Sequence, residues 1–298
     1  MQSKAIQSRN SQGLRDDDLP QSYPFVKWAG GKTQLLSEID KTIPSEFNQY
    51  FEPFLGGGAM FFHIISNKDI QFTAYLSDVN EELINAFNVI KNDVEKLIEV
   101  LKNHEVEYKK NPLEYYYELR SNIKSTNNIQ RAARFITLNK TCYNGLYRVN
   151  KKGIFNVPIG RYKNPVICDS DNLKKVSVAL RYSKAQIQVS DYKVILLQKA
   201  EEDDFIYLDP PYNPTSSTAS FTDYTNTGFN DNDQKELADV FKKLDNRKCK
   251  VLLSNSDTPL IRKLYCDFTI QDVQALRAIN CKGSKRVGHK ELLIRNYL

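Results

Sequence analysis

The chain has 298 residues, 41% of them hydrophobic, and a formal net charge of +6 at pH 7. This length is sufficient for one large domain, or for a core domain with an insertion. No apolar run approaches the ~20 residues needed to span a bilayer, and the N-terminus has no hydrophobic signal core. We therefore expect a soluble, cytoplasmic protein with no membrane partner.

Cysteine and histidine usage argues against cross-links and metal sites. The cysteines are widely spaced, odd in number and form no C-x-x-C pair, and the three histidines are equally scattered. Such spacing favours reduced thiols in a cytosolic protein over a disulfide framework or a zinc site. We expect no metal centre. The cysteines are Cys142, Cys168, Cys249, Cys266 and Cys281.

The positive charge is concentrated in one segment. Residues 119–168 contain ten Lys or Arg and no Asp or Glu, so the charge of this segment is +10. The rest of the chain therefore carries −4, which gives the net charge of +6. Such asymmetry is typical of a surface that meets phosphates. An ordinary solvated face is the alternative, although so long a stretch without acids is unusual for one.

The first 22 residues contain few large apolar side chains, many Gln and Ser, and three consecutive aspartates. We expect residues 1–22 to be a disordered lead-in and order to begin at Tyr23. Residues 30–33 (Gly-Gly-Lys-Thr) resemble the end of a nucleotide-triphosphate loop, but the pattern requires a glycine where the chain has Val26. What is left is a glycine turn before a helix N-terminus, which suits an anionic group.

Residues 50–58 (Tyr-Phe-Glu-Pro-Phe-Leu-Gly-Gly-Gly) predict a strand followed by a glycine loop, with a helix after it. Glycines let a backbone approach a ligand closely, although the spacing here is not G-x-G-x-x-G. The next strand, 72–77, ends at Asp78, which lies 22 residues after Gly56. That spacing is near the ~20 expected for a carboxylate that binds ribose hydroxyls. Capping the following long helix is the alternative role of Asp78.

The alternation of strands and helices stops at about residue 92 and resumes near residue 186. Helices are expected first, followed by a basic, aromatic segment at 139–162. Two alternating runs around residues 150–153 (Asn-Lys-Lys-Gly) predict a β-hairpin in which Gly153 supplies a positive φ. A basic hairpin inserted into a ligand-binding domain is a plausible DNA reader.

After this insertion, a short strand at 187–190 leads into Asp191. Four apolar residues, 205–208, form the next strand, which must end at Asp209 because two prolines follow. Asp209 and the Pro210 carbonyl are thus left at the carboxyl end of a strand, where open α/β sheets bind ligands. A plain Asp-Pro turn with Tyr212 as packing is the alternative.

A polar loop at 213–229 follows and is long enough to order over a substrate, with Phe221 and Tyr224 as stacking or anchoring residues. Further strands are expected at 250–254, 268–273 and 291–297. The cations between the last two form either a second basic loop near DNA or a solvated hairpin. They are Arg277, Lys282, Lys285, Arg286 and Lys290.

Counting the first strand at 50–54, these patterns predict seven strands, of which three deliver an acid at their carboxyl ends. We predict an α/β, Rossmann-like fold with a mixed seven-stranded sheet and helices on both faces. The sheet domain comprises residues 23–91 and 186–298. It is interrupted by a helical and hairpin target-recognition domain at 92–185.

Several motifs resemble those of the Dam-like, D12 class DNA adenine-N6 methyltransferases. They are residues 27–32 (Lys-Trp-Ala-Gly-Gly-Lys), 50–58, 143–146 (Tyr-Asn-Gly-Leu), 155–158 (Phe-Asn-Val-Pro), 160–162 (Gly-Arg-Tyr) and 209–212 (Asp-Pro-Pro-Tyr). The resemblance covers nearly everything from Tyr23 to Tyr297, in the motif order of the α group of amino-methyltransferases. It implies a methyltransferase fold that binds S-adenosyl-L-methionine. It also implies methylation of adenine N6 in double-stranded DNA, within GATC, after base flipping.

The resemblance also assigns roles to residues of the catalytic and cofactor sites. Asp209 and the Pro210 carbonyl would accept hydrogen bonds from the adenine amine, and Tyr212 would stack on the flipped base. Trp28, Gly30, Gly31 and Lys32 would hold the methionine end of the cofactor. The other implied cofactor-binding residues are Glu52, Phe54, Gly56, Gly58, Asp78 and Asp191, together with Asp209.

Seven residues are implied to contact DNA. Lys27 would approach the first guanine of the target, and Tyr143 would wedge into the stack vacated by the flipped base. Arg148 would reach a guanine edge in the major groove, where a bidentate contact is worth roughly 1–3 kcal/mol. Backbone, apolar and phosphate or base contacts are implied for the others, which are Asn144, Leu146, Pro158 and Arg161.

Two other functions fit the same patterns less well. Cytosine-N4 methylation uses the same amine chemistry, and a catalytically inactive DNA-binding relative is the alternative from another class. An ATP-dependent enzyme is disfavoured by the missing glycine at position 26. The sequence leaves open whether a cognate restriction endonuclease is a partner and whether the role is restriction-modification, repair marking or phage protection. A monomer is favoured.

Overall fold

The computed structural model describes residues 21–28, 30, 35–67, 71–122, 127–215, 228–275 and 289–298. The expected disordered lead-in therefore lies outside the described residues except for its last two positions. Of these, Ser22 is buried, and its amide lies 3.5 Å from the Ser66 Oγ. Packing of the N-terminal segment thus begins before Tyr23.

Strands and helices alternate at both ends of the described chain, and helices fill its middle. In chain order they are α1 (Leu36–Asp40), β1 (Gln49–Glu52), α2 (Ala59–Asn67), β2 (Thr73–Asp78), α3 (Glu81–Lys110), α4 (Pro112–Ser121), α5 (Asn128–Thr141), α6 (Ser170–Tyr182), β3 (Gln186–Val189), α7 (Tyr192–Lys199), β4 (Phe205–Leu208), α8 (Asp231–Asn246), β5 (Lys250–Ser256), α9 (Pro259–Leu264), β6 (Thr269–Ala275) and β7 (His289–Arg295). Within the described ranges, no helix combines the length and hydropathy needed to cross a membrane.

The strands form one seven-stranded sheet in the order β3-β2-β1-β4-β5-β7-β6. The first five strands of the chain are parallel, whereas β7 pairs antiparallel with both β5 and β6. The predicted mixed sheet is thus confirmed. The chain order reverses between β1 and β4, so their carboxyl ends open a crevice of the kind in which α/β sheets bind ligands.

Side chains of β1 and β4 alternate between two apolar cores, one on each face of the sheet. Tyr50 and Tyr207 lie in one core, and Phe51 and Ile206 lie in the other. All four are at most 1% exposed. Burial on both faces explains why β4 is a continuous apolar run in the sequence and not an alternating one.

Helix α3 carries the chain out of the sheet region as 30 residues with one break, at Asp93 (φ −136°, ψ 37°). This break lies beside the predicted domain boundary at 91/92. The helix is capped by Asn80, whose side chain accepts a hydrogen bond from the Leu83 amide at 3.0 Å. The alternative role of Asp78 as the helix cap is therefore wrong. Beyond the break, Leu97 and Leu101 belong to the same core as Tyr50, so the inserted helices pack onto the sheet.

The predicted β-hairpin is present as a turn but not as regular strands. Within 142–160 the two arms are joined by the isolated bridges Cys142↔Ile159 and Val149↔Phe155. The Asn150 amide donates to the Ile154 carbonyl at 2.8 Å. Gly153 has φ +74°, as predicted. The segment is also held by a side chain of α4, because the Tyr116 hydroxyl donates to the Val157 carbonyl at 2.9 Å.

Part of the basic segment has a structural role. Arg131 forms an ion pair with Glu82 at 2.7 Å. Arg134 donates to the carbonyls of Leu119 and Arg120 at 2.9 and 2.8 Å. These guanidinium groups brace the inserted helices. Among the described cations of the segment, those that remain exposed, and so face solvent or a ligand, are Arg148, Lys151, Lys152, Arg161 and Lys163.

Candidate active site

Asp209 follows β4 directly and is oriented by the neighbouring strand β5. The Ser254 hydroxyl donates a hydrogen bond to Asp209 Oδ1 at 2.9 Å, and the same hydroxyl lies 3.2 Å from the hydroxyl of Tyr207. Ser254 and Tyr207 are both buried, and burial raises the pKa of Tyr207 well above its ordinary value. Two buried, uncharged hydroxyls, those of Ser254 and Tyr207, therefore support the Asp209 carboxylate on its β5 side. Pro210, the next residue, is buried as well.

Tyr212 is held at the other end of the same loop. Its hydroxyl donates to Glu291 Oε2 at 2.7 Å. Glu291 comes from β7, which reaches this position because it pairs antiparallel with β5. Burial raises the pKa of Tyr212 well above its ordinary value, so the phenol remains a donor. The phenol oxygen of Tyr212 is thereby held at β7.

A network of side-chain amides supports the loop between these two residues. The backbone N–H of Asn213 donates to Asn255 Oδ1 at 3.1 Å. The side chain of Asn255 donates to Gln234 Oε1 at 3.0 Å. Gln234 in turn donates to the Pro211 carbonyl at 2.9 Å. Asn213, Gln234 and Asn255 are all buried, so each bond replaces contacts with water that are lost on folding. The loop is consequently rigid on the side away from the crevice.

The sequence reasoning missed these supporting residues, which are Ser254, Asn255, Gln234 and Glu291. One signal was visible: the buried run of β5 ends in Ser-Asn-Ser, which places polar side chains at the carboxyl end of a strand. The roles of Gln234 and Glu291 have no such signal. They depend on the position of α8 and on the antiparallel pairing of β7.

The glycine loop after β1 is bound to the end of β2. The Gly56 amide donates to Asp78 Oδ2 at 3.0 Å, and the Asn80 amide donates to Asp78 Oδ1 at 2.9 Å. Burial raises the pKa of Asp78. Gly56 has φ +47°, and a Cβ there would lie 2.7 Å from Trp28 Cδ1. The loop and Trp28 are thus packed without space for a side chain.

Glu52 lies beneath this loop. It is 2% exposed, and its Oε2 accepts hydrogen bonds from the Tyr50 hydroxyl at 2.8 Å and the Phe61 amide at 3.0 Å. Burial raises the pKa of Glu52 to about 8, with further raising by Asp209 and Asp78 and opposition from the two hydrogen bonds. Glu52 therefore keeps its proton at neutral pH and ties β1 to the first turn of α2.

An aromatic wall continues the crevice toward β3. Phe54 stacks on Tyr192 with ring centroids 5.1 Å apart and meets Phe229 edge-on at 6.1 Å. Asp191 is exposed and caps α7 by accepting from the Lys193 amide at 2.8 Å. Val79, directly after Asp78, is 57% exposed although it is apolar. Tyr192, Phe229 and Val79 were not singled out from the sequence.

The predicted DNA-contacting residues gather around a turn at the end of α5. This recognition turn, Tyr143–Gly145, has two residues with positive φ, Asn144 at +55° and Gly145 at +64°. Tyr143 is 44% exposed, and its amide donates to the Pro158 carbonyl at 2.9 Å. Asn144 and Pro158 are also exposed, whereas Leu146 packs against the core.

Two cations flank the recognition turn. Arg148 is exposed, and its Nε donates to Asn156 Oδ1 at 2.7 Å. The Lys27 ammonium lies 3.7 Å from the centroid of the Tyr162 ring. Lys27 also lines a shallow basic cavity, whose other lining residues include Lys140, Arg161, Tyr162 and Lys163.

The described part of the chain contains most, but not all, of the predicted residues. Gly30 has φ +80°, consistent with the expected glycine turn. Those outside the described residues are Gly31, Lys32, Phe221, Tyr224, Arg277, Lys282, Lys285 and Arg286. The remaining predicted catalytic and cofactor-binding residues lie along the carboxyl ends of β1 to β4 or pack against them.

The D12 class N6 adenine-specific DNA methyltransferase family matches residues 28–279. The chain belongs to this family. It is 47% identical to the type II methyltransferase M.MjaIII of Methanocaldococcus jannaschii, over 92% of this chain and 99% of that protein. It is 37% identical to the DNA adenine methylase of Haemophilus influenzae, over 91% and 92% of the two chains. For the DNA adenine methylase of Escherichia coli K12, the identity is 35% over 90% and 93%.

Membership explains the fold and names the class of reaction. The mixed seven-stranded sheet with its helices is the α/β fold of an S-adenosylmethionine-dependent methyltransferase of this class. The methyltransferase is adenine-specific and acts on DNA. The alternative of cytosine-N4 methylation is therefore not supported by the family assignment.

The first prediction concerns the Ser254 hydroxyl. Ser254→Ala removes the hydrogen bond to Asp209 Oδ1, so the carboxylate is held less firmly in its orientation. We expect kcat for DNA adenine methylation to fall roughly 10–100-fold, with little change in KM for DNA, because small misplacements of a reacting group cost about this much. Tyr207→Phe, which keeps the Ser254 donor, is the matched control and should lose less. An S254A enzyme with wild-type kcat would show that Ser254 does not orient Asp209.

The second prediction concerns the proton on Glu52. Between its ordinary pKa of 4.5 and about 8, the unfolded chain releases this proton while the folded chain retains it. The contribution of Glu52 to stability therefore falls as pH rises through this window. Glu52→Gln cannot ionise and keeps an oxygen for both donors. Its stability relative to wild type should rise by roughly 1 kcal/mol per pH unit across the window, as measured by urea unfolding. A pH-independent difference would mean that Glu52 is ionised in the folded protein.

Proposed function

We propose that this protein transfers the methyl group of S-adenosyl-L-methionine to adenine N6 in double-stranded DNA, within a GATC site, after flipping the target base. The observation that carries the proposal is the adjacency of two loops at the switch between β1 and β4. One is the glycine loop packed on Trp28, and the other bears Asp209 and Tyr212. The names of the relatives, DNA adenine methylases among them, support the GATC assignment.

Several features of the crevice support binding of S-adenosylmethionine. Gly56 bears no side chain, so the Trp28 ring lies directly against the glycine loop at the edge of the crevice. Asp78 and Asp191 stand at the carboxyl ends of β2 and β3, where ribose and adenine groups of a nucleoside are bound in such folds. Exposed Val79 and the Phe54 ring offer apolar surface for a flat base. When bound there, the cofactor supplies an electrophilic methyl group.

The residues after β4 prepare the adenine amine for attack. Its nitrogen is a poor nucleophile because the lone pair is conjugated with the ring. Hydrogen bonds from the two N–H groups to the Asp209 carboxylate and the Pro210 carbonyl favour a pyramidal nitrogen and aim its lone pair. Asp209 does not need to be a strong base, because the N–H proton becomes acidic only as the new N–C bond forms. Tyr212, with its hydroxyl held by Glu291, presents its ring for stacking on the flipped base.

Residues 92–185 read the target in this proposal. Tyr143 is an exposed aromatic on a turn with positive φ angles, which suits a wedge that fills the space left by the flipped base. Asn156 holds the Arg148 guanidinium in a defined direction, as bidentate recognition of guanine requires. Lys27 and Arg161 join Lys140 and Lys163 on a basic concave surface that suits DNA.

The third prediction tests the reaction. Asp209→Ala should fold with wild-type melting behaviour but lose methylation by at least about 100-fold, the loss typical of a group that acts in the transition state. The assay uses labelled S-adenosylmethionine with a GATC duplex, followed by mass analysis of the nucleosides. Asp239→Ala, an acid exposed on α8, is the control. N4-methylcytosine as product, or a near-normal rate in D209A, would contradict the proposal.

The fourth prediction tests sequence reading. Arg148→Ala should reduce discrimination at one base pair of the target by roughly 1–3 kcal/mol, measured as relative kcat/KM over duplexes with single substitutions in GATC. Lys151→Ala, on the exposed turn of the same hairpin, is the matched control and should weaken binding uniformly with a smaller salt slope. If R148A lowers kcat/KM by the same factor for all duplexes, Arg148 contacts phosphate and does not read a base.

A further inference from the structure

Two buried asparagines hold the N-terminal segment, residues 21–28, in the same way. Asn172 of α6 donates to the Tyr23 carbonyl at 2.9 Å and accepts from the Tyr23 amide at 3.1 Å. Asn139 of α5 donates to the Lys27 carbonyl at 2.8 Å and accepts from the Lys27 amide at 2.8 Å. Each side chain is 2% exposed. Each therefore pairs with the segment as a strand would, through one donor and one acceptor.

Among the described residues, the Asn139 side chain has a third hydrogen-bond partner and the Asn172 side chain has none. Its Nδ2 also donates to the Gly145 carbonyl at 3.2 Å, in the recognition turn. Gly145 has φ +64°, and a Cβ at this position would collide with the Lys27 side chain. One amide group thus joins the Lys27 backbone to the recognition turn, and the two are in close packing contact.

The next residue, Trp28, extends this connection to the glycine loop. Its ring stacks on Tyr147, with centroids 5.8 Å apart and an interplanar angle of 27°. The same ring fills the space beside Gly56, where a Cβ would be 2.7 Å away. Displacement of the recognition turn would therefore be transmitted through Lys27 and Trp28 to the loop proposed to bind the cofactor.

We propose that Asn139 is a positioning residue that couples DNA binding at the recognition turn to cofactor binding at the glycine loop. This inference rests on the proposed function for the identity of the two ligands. The first ligand to bind orders the Lys27–Trp28 connection, and the second binds a connection that is already ordered. By linkage, each ligand must then tighten the binding of the other by the same factor.

The experiment compares Asn139→Ala with its matched control, Asn172→Ala. Both variants remove a reciprocal pair of hydrogen bonds from the same segment, but only N139A releases Gly145. The probe is sinefungin, an unreactive S-adenosylmethionine analogue, and its Kd is measured by calorimetry with a GATC duplex, with a scrambled duplex and without DNA. In the wild-type protein, the GATC duplex should lower this Kd at least about fivefold. The ratio should be retained in N172A and fall to within about twofold of one in N139A.

The remaining outcomes are equally decisive. Coupling that survives in both variants, or is lost in both, overturns the role of Asn139, because the effect would not follow the contact with Gly145. If N139A does not fold, the inference is tested by the hydrogen-exchange rate of the Lys27 backbone amide in the wild-type protein. Slower exchange with the GATC duplex than with the scrambled duplex supports the inference. Equal exchange rates overturn it. A wild-type protein that methylates GATC without coupling overturns this inference alone. One that transfers no methyl group overturns the proposed function as well.

Discussion

The parallel pairing of β1 with β4 is the constraint on which the rest of the site depends. Phe51 and Ile206 are register partners in this pairing, and both are buried in the same core. Because the chain order reverses between these strands, the loops that follow them diverge and leave a crevice. One loop contributes backbone that can approach a ligand, and the other contributes a carboxylate. Without this adjacency, the glycine loop and Asp209 would not face the same crevice.

A second feature is the amount of buried polar structure beneath the loop after β4. Ser254, Asn255 and Gln234 are buried, yet each is hydrogen-bonded. Buried polar groups cost stability when unpaired and rigidify their surroundings when paired. The protonated Glu52 below the neighbouring loop has a similar role, since it links Tyr50 to Phe61 without placing a charge in the core at neutral pH. The crevice is thus open on one side and stiff on the other, which suits the positioning of reacting groups proposed for it.

The inserted helices are not an independent unit. Their apolar residues continue the core of the sheet beyond the break at Asp93. Several of their basic side chains form hydrogen bonds or ion pairs within the protein. Arg134, for example, donates to the carbonyls of Leu119 and Arg120 in the last turn of α4. Total charge in the segment therefore overstates the charge available to DNA. The part that faces outward is concentrated on the hairpin turn and near Lys27, where the N-terminal segment meets the recognition turn.

The sequence alone was sufficient for the strands, their acids and the family resemblance, because fully buried strands, prolines after Asp209 and clustered glycines are local signals. A short motif also singled out Tyr143 and Arg148 as predicted DNA contacts, and the structure places both at the surface. The sequence did not reveal that Ser254 orients Asp209, that Glu291 holds Tyr212, or that Asn139 joins Lys27 to Gly145. It also assigned a capping alternative to Asp78 when Asn80 is the cap. These relations join residues that are distant in the chain, and they exist only once strand order and helix packing place the side chains within hydrogen-bonding distance.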